Sequence, residues 1–191
     1  MAIKLVEITK KYDKKVVFDR FNCDIKARKT TCIMGVSGSG KTTLLRMMMG
    51  LEPPDDGLVK GVTQLKKSVV FQEERLCENL TVATNIKMTS QKSLGSADVL
   101  EAIWKVGLPV DCLKQPVHTL SGGQKRRVAI LRALMAEYDV LFLDEPFKGL
   151  DAETKQQVMD YVKESTLGKT VILVTHDEME CQAMADVVIY C

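Results

Sequence analysis

The sequence predicts an α/β fold: a parallel-sheet core, a small antiparallel β subdomain at the N-terminus, and a helical lobe in the middle. Three observations carry this. Four short apolar runs are nearly continuous, as strands buried on both faces must be. Helical patterns with their own caps and stops separate most of them, which is the alternation of a doubly wound sheet. Each run is followed by glycine or polar residues, as expected where strand ends face a ligand. At 191 residues with 46% hydrophobic content, the chain can bury one core, and a single domain over 1–191 is expected.

The elements follow in chain order. "IKLVEIT" and "FNCDI" are half-polar and close together, which suits the antiparallel subdomain. "TTCIM" (Thr30 to Met34) is the first buried strand. "KTTLLRMMMG" reads as a helix closed by Gly50. "SVVF" (Ser68 to Phe71) is a second buried strand. Gln72 to Leu120 contains no clear strand and forms the lobe, about 73–120. Within it "SADVLEAIWKVG" predicts a helix with Ser96 as N-cap and Gly107 as its stop. A helix over Gln124 to Ala136, then the strands "VLFL" (Val140 to Leu143) and "TVILV" (Thr170 to Val174), complete the core. Met47 to Met49 and Trp104 lie in helical patterns and are expected in the core.

Composition excludes some functions. Lys and Arg outnumber Asp and Glu by only 27 to 25 and are dispersed, so no nucleic-acid partner is expected. The six cysteines form no C-x-x-C pair and read as reduced thiols rather than metal ligands. No apolar run approaches the roughly twenty residues of a membrane span. "MAIKLVEITKKY" alternates like a strand instead of forming a signal-peptide core. A cytoplasmic protein, docked on something that is not, is the expectation.

The glycine-rich turn "GVSGSGKTT" matches the P-loop pattern Gly35-x-x-x-x-Gly40-Lys41-Thr42. Such a loop turns backbone N–H groups onto phosphate oxygens and adds the positive end of the following helix. Gly35, Ser37, Gly38, Ser39, Gly40, Lys41, Thr42 and Thr43 are therefore candidate nucleotide-phosphate-binding residues. In this pattern Lys41 reaches the β- and γ-phosphates and Thr42 ligates Mg²⁺. "VLFLDE" adds two carboxylates at a strand end: Asp144 for Mg²⁺ and Glu145 to polarise the attacking water. The same pair also suits a simple cap on the loop before Pro146. Gln72 follows one core strand, and Thr175, His176 and Asp177 follow another.

A P-loop alone leaves kinases, GTPases and recombinases open. "LSGGQKRR" (Leu120 to Arg127), with the P-loop, Gln72, "DEP", "GLD" and "THD", resembles the ATP-binding subunits of ABC transporters, in the family's order along the chain. The resemblance implies a P-loop NTPase core. By itself Ser121-Gly122-Gly123-Gln124 is a capping box whose two glycines leave a helix end bare for an anion. The resemblance names that anion as the γ-phosphate of ATP on the opposite subunit of a dimer. It also implies that Tyr12 stacks on adenine, Gln72 senses Mg²⁺ and couples to the membrane partner, and His176 acts at the γ-phosphate. Asp151 would lie at the dimer interface, though it also suits an N-cap. Tyr12 also suits packing at a strand end, and His118 reads as a solvated loop residue.

The resemblance further implies an ATPase that drives a transporter from the inner face of the membrane. Its partners would be a second ATP-binding subunit, identical or different, an integral-membrane permease and a solute-binding protein. "VVFQEERLCENLTVATNI" looks like the importer subunits for nitrate, sulfonate and taurine-type solutes. The rival reading is a soluble ABC-type ATPase of DNA repair, chromosomes or ribosomes; Thr42 to Leu120 has no room for the coiled-coil or zinc insertions these carry. A binding module without turnover is disfavoured by Glu145. Two departures from the family stand out: Gly50 to Gln72 is short, which implies a trimmed antiparallel sheet, and the chain stops at "ADVVIYC", where relatives usually continue.

Overall fold

The computed structural model describes residues 3–13, 15–90 and 95–191; residues 1, 2, 14 and 91–94, the last within the expected lobe, lie outside the description. The chain opens with β1 (Ile3–Tyr12) and β2 (Lys15–Ile25), a bulged antiparallel pair. β3 (Thr30–Met34) leads through the glycine turn into α1 (Lys41–Met49). Gly50, at φ 76°, closes α1 as Leu51 N–H donates back to Arg46 O at 2.9 Å. β4 (Asp56–Lys60), which the sequence reading did not single out, then joins the free side of β1, so the antiparallel sheet has three strands.

β5 (Lys67–Val70) begins and ends one residue before the predicted run. The lobe follows with α2 (Val82–Lys87), α3 (Ser96–Lys105) and short 3₁₀ turns at Val110–Lys114 and Val117–Thr119. Ser96 is not the cap of α3: it is the first helical residue, and Asp98 Oδ2 accepts the preceding Gly95 N–H at 3.2 Å. Gly107 does stop the helix, at φ 67°, with Leu108 N–H on Ile103 O at 3.0 Å. Then come α4 (Gly122–Leu134), β6 (Val140–Asp144), α5 (Ala152–Ser165), β7 (Thr170–Thr175), α6 (Glu178–Met184) and β8 (Val187–Tyr190).

The second sheet is parallel, in the order β5-β6-β7-β3-β8. Its three central strands are buried along their whole length, whereas edge strands β5 and β8 are only partly covered. Period-2 alternation divides the core in two. Val140 and Phe142 face α1 and the antiparallel sheet, while Leu141 and Leu143 face the helices of the other side. Met47 to Met49 are buried as expected. Trp104 is not: it is 72% exposed. The apolar face of α3 is Val99, Ala102, Ile103 and Val106, and Trp104 stands about 100° further round the helix.

Two substitutions check this division. Phe142→Ala empties a fully buried site between the layers and is expected to cost about 3–5 kcal/mol in urea unfolding. Trp104→Ala should stay within about 0.5 kcal/mol of wild type, because it removes no buried packing.

Candidate functional site

The parallel order brings the C-terminal ends of β3, β5, β6 and β7 to one edge of the sheet. A cleft of about 1000 Å³ opens there. The glycine turn forms its floor. Gly40, at φ 102°, presses against β2 so closely that a Cβ would stand 2.4 Å from Val17 Cγ1. No side chain caps the start of α1, so its first N–H groups stay open to the cleft. Lys41 folds over the turn, and its Nζ donates to Gly35 O at 2.7 Å and Val36 O at 2.9 Å.

Thr42 Oγ1 donates to Asp144 Oδ1 at 3.4 Å, joining the start of α1 to the end of β6. Asp144 is 3% exposed. Burial pushes its carboxyl above the ordinary value, with the Thr42 hydrogen bond opposing and the nearby Glu145 charge reinforcing the shift. Glu145 takes a left-handed backbone, φ 46°, at a cost of about 1–3 kcal/mol for a non-glycine residue. Its N–H donates to Val174 O at 2.9 Å and its carbonyl accepts from Arg126 Nη2 at 2.6 Å. The carboxylate then faces the cleft, with Oε1 accepting from His176 Nδ1 at 3.0 Å and Oε2 lying 3.6 Å from Lys148 Nζ.

Tyr12, 42% exposed, lines the cleft rather than packing at the strand end. Its hydroxyl donates to Glu52 and lies 3.4 Å from Thr43 Oγ1, and the Lys10 ammonium lies over its ring, 5.4 Å from the centroid. Gly35, Ser37, Gly38, Gly40, Lys41, Thr42, Thr43, Gln72, Glu145 and His176 line the cleft with it. Asp144 lies beneath Thr42, and the Ser39 hydroxyl is buried; neither lines the cleft.

Ser121 to Gln124 and Asp151 are not brought to it either. The capping box at the start of α4 is formed as expected. Ser121 Oγ accepts from Gln124 N–H at 3.3 Å, and Gln124 Oε1 from Ser121 N–H at 2.9 Å. A Cβ on Gly122 would touch nothing, so that helix end is open. Asp151 caps α5 by accepting Thr154 N–H at 2.9 Å. His118 is exposed as expected but sits in the 3₁₀ turn Val117–Thr119 rather than a loop, its Nδ1 3.1 Å from Glu78 O.

Sequence reasoning passed over Lys15, Lys148, Glu178 and Tyr190 in the cleft wall, and Arg126 beneath it. Lys148 had a signal, three residues after Glu145 on a short loop. Arg126 had one too: it stands four residues before Ile130 on the buried face of α4, an unusual place for a charge.

Residues 18–148 match the family model described as "ABC transporter". An aliphatic sulfonates import ATP-binding protein of Paraburkholderia xenovorans is 38% identical over 97% of this chain and 75% of its own length. A spermidine/putrescine import ATP-binding protein of Clostridioides difficile is 36% identical over 98% of this chain, which spans 58% of that protein. A solved structure, the ATP-binding cassette MJ0796 described as a dimer in a post-hydrolysis state bound to ADP and Pi, superposes with a TM-score of 0.84. It is 29% identical, with 98% of this chain and 93% of that one covered. The chain belongs to the ABC transporter family, among its ATP-binding subunits.

The burial of Asp144 makes a prediction with a definite sign. Its folded-state pKa is raised, so the ionised carboxylate destabilises the fold above that pKa, and the penalty fades as pH falls through it. Asp144→Asn is therefore expected to raise the melting temperature at neutral pH, with the difference from wild type narrowing in acid. A lower melting temperature for the Asn protein at neutral pH would contradict this account of the site.

Proposed function

We propose that the chain is a single-domain ATP-hydrolysing motor subunit, in which two copies, or this chain and a similar one, close on ATP and hydrolysis releases them to drive a membrane permease. One observation carries the reading. The cleft gathers the glycine turn with Lys41 and Thr42, Gln72, Glu145 and His176, with Asp144 beneath Thr42, but the open α4 end at Ser121 to Gln124 lines no part of it. A second chain supplies that end to the γ-phosphate.

Within one chain, the N–H groups of the turn and the Lys41 ammonium hold the β- and γ-phosphates. The ring of Tyr12 stacks on adenine. Glu145 takes the proton of the attacking water, with His176 holding its carboxylate and facing the γ-phosphate. Thr42, Asp144 and Gln72 offer hard oxygen donors, which suit Mg²⁺. No group of three or more His, Cys, Asp or Glu among the described residues is arranged as a metal cage. Held by Thr42, Asp144 and Gln72, Mg²⁺ would supply positive charge against the phosphate oxygens during transfer.

No helix among the described residues is long and apolar enough to cross a membrane. The transport path then belongs to a permease, with the chain attached at the inner face. The relatives named for sulfonates and for polyamines import solutes of opposite charge. Their shared ATP-binding architecture supports placing solute choice in the permease and a solute-binding protein. The segment after Gln72 supports the docking role, since Glu73 is exposed beside it.

Glu145→Gln keeps the shape of the side chain and removes the base. Turnover is expected to fall by about a hundredfold or more while ATP binding survives, so a Mg-free ATP complex elutes as a dimer in size-exclusion chromatography. Adding Ser121→Arg should abolish that dimer; a double variant that still dimerises contradicts the role of the α4 end.

Charge reversal at Glu73 and Glu74 should weaken co-purification with the permease and leave ATP affinity unchanged. Equal recovery of the permease would move the docking surface elsewhere.

A further inference from the structure

Two adjacent arginines in the first turns of α4 point apart. Arg127 fastens the helix to the end of α3, its Nη1 donating to Val106 O at 3.1 Å and Gly107 O at 2.7 Å, while its Nε donates within α4 to Gly123 O at 3.1 Å. Arg126 turns inward and is 2% exposed. Its Nη1 donates to Phe71 O and its Nη2 to Glu145 O, both at 2.6 Å. Phe71 immediately precedes Gln72, and Glu145 is the carboxylate assigned as base. One guanidinium thus bridges the loops that follow β5 and β6.

Packing alone does not account for such a residue. An apolar side chain of similar volume would fill the space without stripping water from a cation. Burial lowers the readiness of this guanidinium to hold its proton, and its Nε finds no partner among the described residues. What Arg126 adds is geometry: a rigid planar fork sets the spacing between two carbonyls. Glu145 leans on that restraint: its left-handed backbone is held at the N–H by Val174 O and at the carbonyl by two bonds, a local one from Lys148 N–H at 3.3 Å and the shorter Arg126 bond at 2.6 Å, which reaches it from another element.

We propose that Arg126 is a positioning residue that ties the open end of α4 to the Gln72 and Glu145 loops, so that a γ-phosphate docked on that end from a second chain registers at this chain's own hydrolytic carboxylate. The inference rests on the shared-site reading above. Arg127 fastens the start of α4 to the lobe and Arg126 fastens it to the catalytic edge, so a shift of its N-terminal turn moves both loops together.

The test uses the full chain with Arg126→Met, which removes both donors, and Arg126→Lys, which keeps the charge without the fork. ATP affinity is measured by titration, kcat by phosphate release, and folding by thermal melt. In Arg126→Met the kcat should fall at least about tenfold, while ATP affinity stays within about twofold of wild type, because Arg126 itself lines no part of the cleft and both its bonds go to backbone carbonyls. Arg126→Lys should recover part of the rate. In a Glu145→Gln background, Arg126→Met should still form the ATP-dependent dimer. Unchanged kcat in both variants beside an active wild type overturns the role of Arg126 alone. So does a loss of kcat that tracks loss of ATP affinity and of folded protein in Arg126→Lys. A wild type without ATPase activity overturns the shared-site reading and this inference together.

Discussion

The contact between the Thr42 hydroxyl and the Asp144 carboxylate, 3.4 Å across, is the joint on which the cleft depends. It connects the helix that follows the glycine turn to the end of a strand buried on both faces. The carboxylate is there at a cost, since burial disfavours its charge. A domain built only for stability would place a neutral or apolar group at that point. The arrangement becomes favourable when a cation shares the site, and the uncapped start of α1 and the Lys41 ammonium show the same bias toward a polyanionic ligand.

Much of this was legible in the residues, and for a physical reason. β3, β6 and β7 are covered by layers on both faces, so their sequences are apolar without interruption and stand out from the chain. β4 and β8 are not covered in that way. "DGLVK" and "VVIY" alternate between partly covered and exposed positions over four or five residues, and only their pairing with β1 and β3 makes them strands. Trp104 misled because a helical pattern alone does not say which face is buried; the neighbouring Val99, Ile103 and Val106 define that face and leave Trp104 outside it.

The site divides along the same line. Residues in local patterns, such as the P-loop and the paired acids, were readable because their chemistry depends on neighbours in sequence. Those that act through tertiary contacts were not. Nothing near Tyr12 in the chain announces that Glu52 holds its hydroxyl. Likewise the bridge from Arg126 to Phe71 and Glu145 spans 55 and 19 residues. The helix end at Ser121 presents the opposite case: its motif is plain, yet the fold leaves it outside the cleft, and the role proposed for it needs a second chain.

The central claim is that one chain holds ATP and two chains hydrolyse it. Specific ATPase activity of the wild-type chain, measured from dilute to concentrated protein at saturating Mg-ATP, tests it most directly. The account predicts that activity per chain rises with protein concentration and then saturates, as monomers give way to dimers. Activity per chain that stays constant down to dilutions at which light scattering finds only monomers would contradict it.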